Sequence, residues 1–210
     1  RMEDALSFHL ASKLGSESLP AMSIREFIGD AFNESEQIQE AIRMDLDATL
    51  RRDPASRGLS EPFLHYKGFH ALQSYRVAHW LWGRERHALA GYLQNRISEV
   101  FAVDIHPAAR IGKGILMDHA TGVVIGETAV VEDDVSMLHE VTLGGTGKTT
   151  GDRHPKVRRG VLIGAGAKIL GNIVIGEGSK VAAGSVVLTD VPRHTMVAGE
   201  RQGREADRLE

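Results

Sequence analysis

The chain contains no cysteine, which excludes a small secreted scaffold held together by disulfides. It has no apolar run approaching the roughly 20 residues of a membrane helix. Its opening, RMEDALSFHLASKLG, is too polar to read as a secretory signal. Neither sign of charge dominates: 25 Lys and Arg against 28 Asp and Glu leave a net −3, unlike a strongly basic nucleic-acid binder or an acidic tail. The expectation is a soluble, cytoplasmic protein with no nucleic-acid and no membrane partner. The most informative shortage is aromatic. All eleven Phe, Tyr and Trp lie in the first 101 of 210 residues, and the remaining 109 have none. Glycine runs the other way, with 6 of 23 before position 102, as do Val and Ile, with 7 before and 23 after. Two architectures divided near residue 102 are implied.

The aromatic half reads as helices. Ile38, Ile42, Leu46 and Leu50 recur every four residues, near one helical face. Asn33 with Glu36 fits a capping box, and Asp53-Pro54 stops the run, because a residue before proline avoids helical dihedrals. A second helix is predicted from Ser60 to Trp80 with Pro62 in its first turn, a third over 86–101, and shorter ones over 3–14 and 21–32.

The other half is a repeat. Aliphatic residues recur every six positions: Ile105, Ile111, Met117, Val123; then Ile125, Val131, Met137, Leu143; then Ile163, Ile169, Ile175, Val181, Val187. A small or β-branched residue follows four positions later, as at Ala109, Ala129, Ala167, Ser179 and Ser185. This six-residue period signals a parallel β-helix, one short strand and turn per hexapeptide and three hexapeptides per coil. A narrow prism of this kind has no room for rings, which accounts for the missing aromatics. The register breaks twice. TGVVIGE slips by two residues, and the step from Leu143 to Ile163 is 20 where 6 is expected, implying a fourteen-residue excess in a loop over 145–160. That loop carries Lys148, Arg153, Lys156, Arg158 and Arg159 against Asp152, which suits an anionic ligand.

Two tempting motifs fail. LGGTGKTT (143–150) resembles a phosphate-binding loop, but Thr142 stands where its first glycine is required, and repeat strands flank it on both sides. Histidines 106, 119, 139 and 154 suggest zinc, yet they form no close His-x₃₋₅-His pair and cysteine is absent. No metal site is expected. A more useful pair is Asp104 and His119, fifteen residues apart. A coil of about eighteen residues brings them near each other on adjacent coils. A carboxylate there would fix the imidazole tautomer and leave the other nitrogen as general base. A turn histidine and a turn-capping aspartate account for the same residues equally well.

The segments DIHPAARIGKGILMDHATGVVIGETAVV, VTLGGTGK, GDRHPKVRRGVLIGAGAKILGNIVIG and SKVAAGSVVL strongly resemble serine O-acetyltransferases, and so do RRDPA and LHYKGFHALQSYRVAHWLW in the helical half. The resemblance spans roughly residues 3–199, with DHATG and GDRHPK its most specific motifs. It implies an α + β solenoid: an α-helical assembly domain (1–101), a left-handed parallel β-helix of hexapeptide repeats (102–199) with the loop at 145–160, and a tail (200–210). The handedness comes from the resemblance alone, since parallel crossovers are usually right-handed.

The activity implied is transfer of acetyl from acetyl-CoA to the L-serine hydroxyl, giving O-acetyl-L-serine for cysteine synthesis. No acyl-enzyme and no metal are involved. By motif, His119 in DHATG is the general base, Asp104 in VDIHP its partner, and Gly145 in LGGTG the oxyanion donor. Arg153 and His154 match the residues that bind the serine carboxylate, and Asp53 and Asp118 those that hold its ammonium. Ala165, Gly166, Ala183 and Gly184 would let acetyl-CoA approach the backbone, with Lys168 or Lys180 at its phosphates. L-Cysteine, which mimics serine, is the expected feedback inhibitor. A homotrimer with sites between subunits is implied, and a dimer of trimers through the helical half. Docking to O-acetylserine sulfhydrylase is not expected, because the chain ends in Glu210 where the family's docking uses isoleucine. The rival readings are another hexapeptide acetyltransferase acting on a sugar or xenobiotic hydroxyl, a zinc carbonic anhydrase of this fold, and a scaffold without catalysis.

Overall fold

The computed structural model describes residues 1–147 and 150–199. Lys148 and the 200–210 tail lie outside the described residues. Six helices come first: α1 (Met2–Leu14), α2 (Ala21–Glu34), α3 (Glu36–Arg52), α4 (Ser60–His65), α5 (Lys67–Trp82) and α6 (His87–Phe101). None is long and apolar enough to cross a membrane.

Three local expectations are corrected. Asn33 does not cap α3, because α2 runs on through Glu34. Ser35 does so instead, its Oγ accepting from the Ile38 N–H at 3.3 Å. Ile38, Ile42 and Leu46 are buried as expected, but Leu50 is exposed. Steps of four overshoot the 3.6-residue turn by about 40° each, so by Leu50 the stripe has rotated out of the core. The single helix expected over 60–80 is two, α4 and α5, separated by Tyr66 in an extended conformation. The break lets α5 start against the wall of the solenoid. Gly68 lies so close to the Met117 carbonyl that a Cβ there would collide with it.

The solenoid has three parallel faces. The first stacks β1 (Val103–Ile105), β4 (Val123–Ile125), β7 (Thr142–Gly144), β10 (Lys168–Leu170) and β13 (Val186–Val187). The second stacks β2 (Arg110–Ile111), β5 (Val130–Val131), β8 (Lys156–Val157) and β11 (Val174–Ile175). The third stacks β3 (Leu116–Met117), β6 (Ser136–Met137), β9 (Leu162–Ile163), β12 (Lys180–Val181) and β14 (Met196–Val197). Inward residues are aliphatic or small and fully buried, among them Ile125, Leu143, Ile163, Ile169 and Val181 with Ala109, Ala129, Ala167, Ser179 and Ser185. Coil lengths follow from the pairing. Val123 stacks on Val103, 20 residues earlier; Thr142 on Val124, 18 earlier; Lys168 on Thr142, 26 earlier; and Val186 on Lys168, 18 earlier. The loop therefore adds eight residues to an 18-residue coil, not fourteen, and it ends before Lys156. Val157, six positions before Ile163 and fully buried, is the in-frame aliphatic that the period count overlooked.

A buried polar network docks the helices on the solenoid. Asp45 (α3) accepts from Gln73 Nε2 at 2.9 Å, from Arg76 Nη2 at 2.7 Å and from the Ile115 N–H at 2.8 Å. Arg76 reaches on to the Gly112 carbonyl at 2.7 Å. Arg52 donates to the carbonyls of Gly114 and Asp134, both at 3.0 Å. Each buried charge thus meets fixed partners, the condition for keeping it inside.

Candidate active site

The corner between the third and first faces carries His119. After β3 the chain turns through Asp118, and His119 and Ala120 adopt left-handed dihedrals, with φ of 55° and 59°. Such conformations cost non-glycine residues about 1–3 kcal/mol and gather at functional sites. The His119 ring stands 75% exposed, its Nε2 3.7 Å from Asp118 Oδ1. Below it opens a cleft of about 410 Å³ lined by Asp53, Asp118 and His119 with His65, Tyr66 and Lys67 among others, the Lys67 ammonium donating to Thr121 Oγ1. Asp53, the C-cap of α3, is held by the Ala55 N–H on its Oδ1 at 2.8 Å. The Tyr66 phenol is pushed above its ordinary range by burial first and then by the Asp53 carboxylate. Residues from the two halves, Asp53 and the Asp118-His119 turn, thus share one cleft that holds two carboxylates.

The same corner continues as a ladder of turns. The Glu140 N–H donates to the Thr121 carbonyl at 2.7 Å, Gly166 to His139 at 2.9 Å, and Gly184 to Ala165 at 2.7 Å. Turns of successive coils stack about 4.8 Å apart, so Ala165, Gly166, Ala183 and Gly184 form a strip of small residues leading away from His119. Of the two lysines, Lys168 Nζ donates to the Glu140 carbonyl at this corner, whereas Lys180 lies exposed on the third face. His139 sits between the strip and the candidate base. Its ring meets His119 edge to face, centroids 5.9 Å apart, and its buried Nδ1 has no hydrogen-bond partner.

The opposite corner, between the first and second faces, carries the loop. Arg153 Nη2 donates to Glu127 Oε2 at 2.7 Å, and that guanidinium holds the Glu127 carboxyl below its ordinary range. His154 is buried. Its Nδ1 lies 2.8 Å from Thr128 Oγ1, which also accepts from the N–H groups of Arg153 and His154. The ring occupies the space above Gly126, where any Cβ would collide with it. Burial, then Arg153 and Lys156, lower the His154 pKa, so a neutral imidazole is favoured. Gly145 opens the loop beside Arg153, and its N–H has no hydrogen-bond partner among the described residues.

Asp104 lies in the middle of β1, on the outer side of the first face. The expected intrachain bond to His119 is absent, because Asp104 sits mid-strand while His119 sits in the turn five positions before the residue stacked on it. That residue is Val124. Asp104 instead accepts from Gln94 Nε2 (α6) at 2.7 Å, and its charge acts on His106 beside the Glu127–Arg153 pair. One chain thus groups Asp53, Asp118, His119 and the small-residue strip on one edge of the first face. Arg153, His154 and Gly145 lie on the other edge, with Asp104 on the face between. The sequence reading missed Gln94, Glu127, Thr128 and Tyr66. Gln94 carries no motif signal, whereas the GET of VVIGETA was visible without any indication that it faces the loop. Among the described residues no group of three or more His, Asp or Glu side chains is placed to hold a metal ion.

Comparison with known proteins accounts for both halves. Residues 1–74 match the family described as serine acetyltransferase, N-terminal, and residues 154–189 match the bacterial transferase hexapeptide family, six repeats. The serine acetyltransferase of Salmonella typhimurium is 60% identical over 195 residues, 93% of this chain and 71% of that protein. The crystal structure of serine acetyltransferase from Brucella abortus in complex with coenzyme A superposes with a TM-score of 0.94 at 53% identity, covering 95% of this chain and 80% of that one. The soybean serine acetyltransferase complexed with serine gives 0.92 at 59% identity, covering 94% and 81%. With a helical half and a hexapeptide solenoid matched in one continuous alignment, the chain belongs to the serine acetyltransferase family.

Proposed function

We propose that this protein transfers acetyl from acetyl-CoA to the hydroxyl of L-serine, releasing CoA and O-acetyl-L-serine for cysteine synthesis. The observation that carries the reading is the cleft under His119, with the Asp53 and Asp118 carboxylates in its lining, at the head of the small-residue strip. The Asp53 and Asp118 carboxylates suit an ammonium group, which a neutral sugar lacks, so serine is favoured over the sugar alternative. A serine hydroxyl is a weak nucleophile at neutral pH, and His119 removes its proton as oxygen attacks the thioester carbonyl. The resulting oxyanion takes the Gly145 N–H, a donor without a competing partner. Collapse breaks the carbon–sulfur bond, and the His119 imidazolium returns its proton to the departing thiolate. Proton and acetyl group balance with no acyl-enzyme.

The two edges of the first face belong to one site only when copies meet. Joining opposite edges of identical subunits is a heterologous contact that closes into a ring. The first face presents Val124 and Leu188, both about 40% exposed, as apolar surface for that contact. In the proposed trimer, the His119 corner of one protomer faces the loop corner and first face of the next. The second protomer then supplies Arg153 and His154 for the serine carboxylate, Gly145 for the oxyanion, and Asp104 for the imidazole. Acetyl-CoA lies along the strip of Ala165, Gly166, Ala183 and Gly184, with Lys168 and Lys180 for its phosphates. Trimers pair through the helical half. L-Cysteine, differing from serine by sulfur for oxygen, occupies the same cleft as inhibitor. A cytoplasmic location fits a reaction that consumes acetyl-CoA.

The test is release of free thiol from acetyl-CoA with and without L-serine. Serine-dependent release inhibited by L-cysteine is expected, and His119→Ala should lower kcat by roughly 10²–10⁴-fold, the usual contribution of a general base. Release that ignores serine, or an undiminished His119→Ala variant, refutes the reading.

A further inference from the structure

Asp104 is gripped from the helical half. Gln94 Nε2 donates to Asp104 Oδ1 at 2.7 Å in a half-buried setting. The helix that carries Gln94 is itself tied down on either side of it. Arg96 donates from Nε and Nη2 to the carbonyls of Leu14 and Gly15, both at 3.1 Å, and the Tyr92 hydroxyl meets Ser16 Oγ at 2.7 Å. Gln94 therefore approaches the carboxylate from a fixed backbone. The terminal torsion of an aspartate is broad and roughly two-fold, so an ungripped Asp104 would swing its oxygens through a wide arc. One destination is His106, whose ring already feels the Asp104 charge together with those of Glu127 and Arg153.

We infer that Gln94 is a positioning residue for the acetyl transfer: by occupying Oδ1 it fixes the plane of the Asp104 carboxylate and presents Oδ2 to the imidazole N–H. This rests on the reading of Asp104 as the partner of the His119 imidazole at the subunit boundary. Gln94 does not touch substrate. Its effect passes through Asp104, and it explains why a helical half that contributes little else to the second edge of the site is wedged against β1.

The experiment is steady-state kinetics on the full chain for Gln94→Leu, Gln94→Met, Asp104→Asn and the double variant Gln94→Met with Asp104→Asn. Hydrogen bonds to charged groups are among the stronger ones, and losing this one should lower kcat roughly 10-fold while leaving the serine KM within about twofold. On the Asp104→Asn background the Gln94→Met loss should vanish, since the group it positions is gone. Methionine keeps the length of the side chain, so a fold defect in Gln94→Leu alone would not hide the result. A wild-type kcat in Gln94→Met beside a crippled Asp104→Asn overturns the inference and spares the Asp104 assignment. A full Gln94→Met loss that persists on the Asp104→Asn background also overturns it, assigning Gln94 a merely structural role. A wild-type kcat in Asp104→Asn overturns the assignment and the inference together.

Discussion

The helical half and the solenoid bury polar groups in different ways. Among the described residues of the solenoid the buried polar side chains are Ser136, Ser179, Ser185 and His154, small hydroxyls apart from the one loop histidine. Inside the helical half they include Asp45, Arg76, Gln73, His70 and Glu3. In the solenoid each coil satisfies the backbone of the next, so stability is approximately a sum of similar nearest-neighbour terms and few side chains carry an individual structural duty. Helices satisfy only their own backbones. Docking six of them on a prism requires particular side chains to reach across, and Asp45 and Arg76 are the buried ion pair among those that do. A single substitution should therefore be felt as one coil's loss in the solenoid but as loss of the join in the helical half.

The sharpest way to break that contrast is Arg76→Met. It leaves Asp45 fully buried with only Gln73 and the Ile115 N–H. Stranding a buried charge costs about 3–5 kcal/mol, the largest effect expected of a substitution away from the active site. Denaturant unfolding measures it. A loss below about 1 kcal/mol would show that the docking does not depend on this pair.

Next in size is an acid sensitivity of the helical half. Burial pushes His70 down to about 4 from 6.5. Its Nε2 lies 2.9 Å from the Phe63 carbonyl, and its neighbours are His9 and Lys13 on α1 and His65 on α4, all of which oppose a positive charge. A depressed histidine favours the folded state fully above its unfolded pKa, and the advantage is lost as pH falls from about 6.5 towards about 4. The shift corresponds to at most about 3 kcal/mol. His70→Gln should flatten the fall in melting temperature across that window. An unchanged acid slope would assign the loss to other groups.

The same contrast decided what was legible in the sequence. Ile125, Leu143, Ile163 and Ile169 announced the solenoid because its rule is periodic, and the turn motif DHATG marked the His119 corner. Where the rule was interrupted, reading failed: Val157 was absorbed into the loop, and a count of residues per coil did not show that Asp104 lies mid-strand while His119 lies in a turn. Helix positions and most of their ends were readable, the Asp53-Pro54 stop of α3 and the 86–101 helix among them, but the α3 cap, the break at Tyr66 and the partners were not. Nothing in the spacing of Gln94 and Asp104, or of Asp45 and Arg76, says that they touch, since such contacts depend on how α3, α5 and α6 lie against the prism.

The smallest prediction tests whether helix ends matter here as coil ends do not. Ser35 Oγ is the sole side-chain cap among the described helices, accepting from Ile38 while the Ser35 carbonyl receives Gln39. In the solenoid the corresponding free N–H groups at turns, such as those of Gly166 and Gly184, are taken by the carbonyls of the coil below. Ser35→Ala should cost about 1 kcal/mol, the usual value of a lost N-cap, and move the melting temperature by a few degrees. Kinetic constants should stay unchanged, since α3 reaches the cleft only at its other end, through Asp53. If Ser35→Ala instead raised the serine KM, a frayed α3 start would be transmitted along 17 residues to that carboxylate, and the helical half would be acting as one rigid lever on the site.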